Sequence, residues 1–225
     1  MCGRFTLRTS PAVLMEVFDL LREPELTPRY NIAPTQPVAV IRGAESGRDL
    51  TMMHWGLVPS WEKDPSRAAR RINARSENVA TTPAFRSAVR HRRCLVPADG
   101  FYEWKKVGTR KQPYYFTLRS GEPFAFAGLW EHWGHNGSAL HTCAILTGQP
   151  NELAGQIHDR MPVILRPEDY DEWLDPGTKD ADALQQLLTP YPAEEMTMQA
   201  VSTRVNNARN ESPECVEPPE SGGLF

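Results

Sequence analysis

The opening "MCGRF" places a cysteine at position 2, where removal of Met1 leaves a chain that starts with an α-amine beside a thiol. A small second residue permits that removal. A terminal α-amine titrates at about 7.7–8.0, so a fair fraction is neutral and nucleophilic near neutrality. A thiol, at about 8.5, is activated by nearby cations or a general base. Together they form an aminothiol that condenses with an aldehyde: the amine gives an imine, and the sulfur then closes a five-membered thiazolidine. Either nucleophile alone gives a more labile adduct. The plainer alternative is that Cys2 is an incidental small residue. Chain ends fray unless something ties them down, and here Arg4 and Phe5 offer a cation and an apolar anchor.

Three further segments carry reactive groups. In "GFYEWKK", Glu103 lies between Tyr102 and Trp104, and on a strand it shares with Phe101 the side opposite those two aromatics. Such a carboxylate is either a surface residue at a strand end or a site group whose pKa desolvation has raised, suited to general acid–base work. "IHDRMPVIL" puts His158, Asp159 and Arg160 where a helix gives way to an apolar strand. A lone histidine is more often structural than catalytic, but one at such an edge is a site candidate because it titrates near neutrality. In "RRINARSENVA", Asn73 offers an uncharged amide that holds an amine or a sugar hydroxyl without competing for protons. If the stretch is extended, Arg75 shares its side.

The elements that must position these groups read mostly as strands. "SPAVLMEVFDLL" has a Ser-Pro helix start and apolar residues at helical spacing (Val13, Leu14, Val17, Phe18, Leu21). "PVAVIRG" and "DLTMMHWGLVP" read as strands joined by a turn between Gly43 and Gly47. "RCLVPADGFYEWKKV" and "QPYYFTLRS" suggest a hairpin turning near Gly108, and "PFAFAGLWEHW" with "LHTCAILTG" another, linked through "GHNGS". Helical stretches broken by Pro83 are expected in 73–93, a short helix in "NELAGQIHD" and a strand in "RMPVILR". "PEDYDEWLD" and "DADALQQLLT" read as helices with acidic first turns, and "EMTMQAVSTRV" as a last strand. No βαβ rhythm appears. The fold class is therefore α+β: a single domain with a largely antiparallel, curved or barrel-like β core flanked by short helices.

The chain has 225 residues, 40% of them hydrophobic, enough for one large domain with a core. No apolar run approaches the ~20 residues of a membrane helix. Arg4, Arg8, Glu16 and Asp19 interrupt any signal-peptide core, so a soluble, cytoplasmic protein is expected. Cys2, Cys94, Cys143 and Cys215 are widely spaced, which fits neither a zinc site nor a disulfide framework. No metal or cofactor is expected. Net charge is −3, yet residues 67–93 hold eight arginines and one acid, Glu77. Such a run is either a solvated face or a phosphate-binding surface, for which arginine's planar fork is suited.

Ten segments in order resemble the SOS-response-associated peptidase (SRAP) family, the abasic-site processing proteins: "MCGRF", "RYNIAPTQ", "WGLVPSW", "INARSE", "CLVPADGFYEW", "QPYYF", "AGLWE", "TGQPN", "IHDRMPVIL" and "VSTRVNN". The resemblance implies a family domain over 1–208 and a flexible C-terminal tail over 209–225. It implies a monomer that binds single-stranded DNA containing abasic sites, is nucleoid-associated when so bound, and traps the ring-opened sugar aldehyde covalently. By the same resemblance Cys2 matches the nucleophile, Asn73 the residue holding the cysteine amine and sugar, Glu103 the acid–base carboxylate, and His158 the group assisting ring opening. Arg4, Arg75 and Arg160 match phosphate-contacting arginines, and Pro34 and Trp61 residues that wedge or stack on bases. Trp61 is followed by Glu62 where some relatives carry a second tryptophan. Two other readings stand beside this one: a cysteine peptidase with N-terminal autoprocessing, and a noncatalytic single-stranded DNA-binding module using the arginine run. Lyase cleavage through the imine is a further outcome of the same chemistry.

Overall fold

A computed structural model describes residues 2–135, 138–178 and 180–219. The strands are β1 (Phe5–Leu7), β2 (Arg29–Ile32), β3 (Pro37–Ala44), β4 (Gly47–Trp55), β5 (Asn73–Arg75), β6 (Arg93–Ala98), β7 (Gly100–Val107), β8 (Arg110–Leu118), β9 (Phe124–His135), β10 (Ser138–Gly148), β11 (Met161–Pro162), β12 (Ile164–Leu165) and β13 (Met196–Ala200). The α-helices are short: α1 (Pro11–Val17), α2 (Ala88–His91), α3 (Tyr170–Leu174) and α4 (Ala181–Gln186). Among the described residues no helix is long and apolar enough to cross a membrane.

Five strands close on themselves. β10 runs parallel to β4, β4 pairs antiparallel with β3, β3 with β6, β6 with β9, and β9 returns to β10. The ring is a barrel with one parallel joint, so the expected barrel-like core is present. A second, antiparallel sheet runs β13-β8-β7-β1-β2. The chain crosses between the two at Asp99, from β6 in the barrel to β7 in the sheet. Gly100 is required there, since a Cβ would fall 2.5 Å from Phe116 O and from the Tyr115 ring. The β7–β8 hairpin turns through Gly108 at φ +58°, a left-handed conformation that glycine adopts without steric cost.

The sheet docks on the barrel through aromatic rings. Phe5 meets Trp55 at 5.2 Å and Phe126 at 5.7 Å, both edge-on. Phe101 stacks on Phe116 at 4.9 Å and approaches Phe126 at 6.1 Å. Each such pair adds about 0.5–1.5 kcal/mol beyond the area it buries. Phe5 thus ties down the chain terminus that the sequence left free to fray.

Several local expectations needed adjustment. The first helix starts as read, with Pro11 in its first turn and Ser10 Oγ accepting from Val13 N–H. It stops at Val17, because Asp19 turns left-handed at φ +48°. Leu14 and Phe18 are buried, while Val13 and Leu21 are exposed. "NELAGQIHD" contains only a 3₁₀ turn at Ala154–Gln156. "RMPVILR" splits into β11, which pairs with β10, and β12, which pairs with β9. Residues 136–137 of the "GHNGS" link lie outside the described residues. In the segment expected as a tail from 209, Glu211 accepts from Asn31 N–H at 2.8 Å, Glu217 O accepts from Ser202 N–H at 2.9 Å, and Cys215 is wholly buried. The segment from 220 onward lies outside the described residues.

Candidate active site

The N-terminal residues extend β1 along β7. Phe5 pairs with Phe101 and Thr6 with Gly100, and Tyr102 N–H donates to Arg4 O at 3.0 Å. This register carries residues 2–4 past Glu103. Alternation along β7 holds as read: Phe101 faces the barrel, and Tyr102 packs with Tyr115, Val201, Val205 and Cys215 on the other side.

Cys2 is fully buried, and its Sγ lies 4.0 Å from Arg4 O. Burial pushes the Cys2 thiol far above its ordinary range, and the Glu103 carboxylate adds to the rise. Asn73 enters from β5, which β10 holds by parallel pairing of Ile145 with Asn73. Its Nδ2 donates to Cys2 O at 2.8 Å. That bond fixes which end of the amide is which. Asn73 Oδ1 is left buried without a hydrogen-bond partner among the described residues.

Glu103 is 4% exposed, and burial raises its pKa while the imidazole of His158 opposes the rise. The two side chains line one open cleft of about 530 Å³ with Arg4, Trp104, Lys111 and Asn206. His158 follows the 154–156 turn, its N–H donating to Ala154 O at 3.0 Å. Its ring Nδ1 accepts from Arg160 N–H at 3.0 Å and lies 2.8 Å from Asp159 Oδ1. Arg160 N–H only donates and the Asp159 carboxylate only accepts, so the two compete for the same ring nitrogen.

Cys2, Arg4, Asn73, Glu103 and His158 are therefore brought together from four parts of the chain. Arg160 stands beside them, forked onto Glu77 with Nη1–Oε1 at 3.0 Å and Nη2–Oε2 at 2.8 Å. That contact lowers the Glu77 pKa. Arg75 is exposed two residues beyond Asn73 on β5. Trp61 is 58% exposed, with the Arg71 guanidinium 5.9 Å over its ring. Neither Trp61 nor the half-buried Pro34 lines the cleft.

Sequence reasoning missed Trp104, Lys111 and Asn206. Trp104 and Asn206 stand inside quoted motifs, and they meet through Trp104 Nε1–H donating to Asn206 Oδ1 at 2.6 Å. Lys111 has no sequence signal, because only the hairpin register places it opposite Lys106. The arginine run is not one patch. Arg93 is buried and donates to the carbonyls of Trp173 at 2.6 Å, Val89 at 2.8 Å and Arg90 at 3.2 Å, and to Asp175 O. Arg92 pairs with Glu131 at 2.8 Å and Arg71 with Glu62 at 3.0 Å.

A family model described as SOS response associated peptidase (SRAP) matches residues 1–208. The abasic site processing protein YoqW of Bacillus subtilis is 46% identical over 222 residues, covering 96% of this chain and 99% of that protein. The abasic site processing protein YedK of Escherichia coli is 32% identical over 225 residues, covering 97% and 100%. Among solved structures, a protein from Bacteroides thetaiotaomicron superimposes with a TM-score of 0.86 at 24% identity, over 96% of this chain and 99% of that one. A phage-related protein from Bordetella bronchiseptica gives 0.71 at 30% identity, over 89% and 94%.

Proposed function

The chain belongs to the SRAP family, and from that premise we propose that it captures abasic sites in single-stranded DNA as a covalent adduct on Cys2. The observation that carries the reading is that Glu103 and His158 line one cleft, while Cys2, on which the Glu103 charge acts, is held by Asn73 Nδ2 on its carbonyl at 2.8 Å. An abasic deoxyribose opens to an aldehyde, and once Met1 is removed Cys2 offers both nucleophiles that a stable adduct needs.

In this reading the amine attacks first, because burial raises the pKa of the Cys2 thiol and disfavours the thiolate. Glu103, whose pKa burial raises, takes a proton from the ammonium and returns one to the hydroxyl that leaves as water. The imine carbon then accepts Cys2 sulfur, whose proton passes to the imine nitrogen, closing the thiazolidine. The balance is aldehyde plus aminothiol giving ring plus one water. His158 lines the cleft and assists opening at the sugar ring oxygen. Asn73 holds the Cys2 carbonyl, and its unpartnered Oδ1 accepts from the amine or a sugar hydroxyl.

Arg4, Arg75 and Arg160 serve the DNA backbone, and Trp61 offers a face for a base, worth about 1–3 kcal/mol when stacked. Cleavage of the strand through the imine and self-removal of Met1 use the same groups and are minor branches of this chemistry. The test is intact mass after mixing with an oligonucleotide bearing one abasic site. The expected product is the chain without Met1 plus the DNA minus one water. A chain that binds this DNA and never gains its mass overturns the reading and leaves the noncatalytic binding module.

A further inference from the structure

Asn31 lies in β2 with none of its surface exposed, one strand away from the reactive groups. Its Oδ1 accepts from Arg4 Nη1 at 2.7 Å. Its Nδ2 donates to the carbonyls of Val205, Asn207 and Asn210 at 3.3, 3.0 and 2.8 Å. An amide NH₂ has two hydrogens, so three carbonyls share them and the 205–210 loop wraps around this one group. Arg4 Nη1 also donates to Val205 O at 2.8 Å. The plane of the Arg4 guanidinium is thereby fixed, with the Trp104 ring 6.0 Å away. Asn206, on the same loop, meets Trp104 in the cleft. Glu211 closes the loop at its far end by accepting from Asn31 N–H at 2.8 Å and from Arg29 Nε–H at 2.9 Å.

We infer that Asn31 is a positioning residue for the DNA cleft: it aims Arg4 at a backbone phosphate and holds Asn206 against Trp104. The inference rests on the proposed function, in which Arg4 meets phosphate. Asparagine suits the position because one neutral group both accepts from a guanidinium and donates to carbonyls. Aspartate accepts from Arg4 but sets an anion against three carbonyl oxygens. An apolar residue removes all four bonds of the amide and leaves Arg4 Nη1 with Val205 O alone.

The test is binding of the full chain to a labelled, lesion-free single-stranded oligonucleotide across a range of salt. Loss of one phosphate contact lowers the magnitude of the slope of log K against log salt by about 0.7. That loss is expected for Arg4→Gln, and equally for Asn31→Ser, which itself changes no charge. The double variant is expected to lose no more than either single one. A merely structural Asn31 reduces the fraction of active molecules and leaves the slope at the wild-type value. Should Asn31→Ser fail to fold, Glu211→Gln loosens the loop from its other end and is expected to lower the slope non-additively with Arg4→Gln. A wild-type slope in the Asn31 or Glu211 variant, additivity in the double variant, or a wild-type slope in Arg4→Gln overturns the inference. Wild-type crosslinking of an abasic oligonucleotide, run alongside, separates these results: if it fails, the functional reading falls; if it succeeds, only the role of Asn31 does.

Discussion

Asn73 and Cys2 are 71 positions apart in the chain and joined by one hydrogen bond of 2.8 Å, from the Asn73 amide to the Cys2 carbonyl. The bond belongs to the backbone of Cys2 and leaves its sulfur and nitrogen untouched. Asn73→Ala is expected to leave the fold intact and slow crosslinking about 5- to 100-fold, the range for a buried hydrogen bond left half-made. Asn73→Asp is expected to be slower still, because a carboxylate then faces a carbonyl oxygen. Single-turnover rates against an abasic oligonucleotide check both.

Cys2→Ala keeps the amine and loses the sulfur. Its adduct with abasic DNA is expected to stop at the imine, disappear on denaturation and persist only after reduction with cyanoborohydride. The wild-type adduct is expected to survive denaturation without reduction. A Cys2→Ala adduct as durable as the wild type would show that the thiazolidine is unnecessary.

Glu103 links function to stability. Burial raises its pKa, so its protonated form is favoured in the native state. The stability this confers is complete below the ordinary carboxylate range and is lost as pH rises through the raised value. Glu103→Gln keeps the neutral form at every pH. It is expected to melt higher than the wild type near neutrality, the gap closing below about pH 4. The same variant is expected to slow crosslinking by about 100-fold or more. Melting curves and crosslinking rates across pH read both effects, and a gap that opens toward acid contradicts the first.

Arg93 and Arg75 come from the same arginine run and are expected to separate cleanly. Arg93→Ala removes the donor to four carbonyls, those of Trp173 and Val89 in buried bonds, and is expected to cost about 2 kcal/mol of stability, without changing the salt dependence of DNA binding. Arg75→Gln, at an exposed site, is expected to leave stability unchanged and to lower the salt slope by about 0.7. Chemical denaturation and salt titration together distinguish the two roles.

Much of this candidate site was legible because the residues proposed to react sit in short, chemically distinctive contexts. The N-terminal cysteine, the carboxylate among aromatics in "FYEW" and the histidine at the edge of "RMPVIL" each announce a chemistry. The hairpins were legible from strand alternation, with Gly108 marking one turn. What could not be read depends on pairings between distant strands. Lys111 reaches the cleft only through the β7–β8 register, and Asn31 only through a loop 174 to 179 positions further on. The arginine run misleads for the same reason, since a solvated guanidinium and Arg93, which bonds four carbonyls, are identical in sequence. In the 209–219 stretch, Pro and Glu suggest mobility, while Glu211 and Cys215 are the residues that hold it.

β1 lies between β7 and β2 in its sheet, with Cys2 just ahead of it and wholly buried. On the ribosome, the first strand made must wait for a partner more than ninety residues downstream, Phe101 for Phe5. A chain made in sequence therefore completes the two sides of β1 at different times, with β2 at hand early and β7 only once Phe101 has been made.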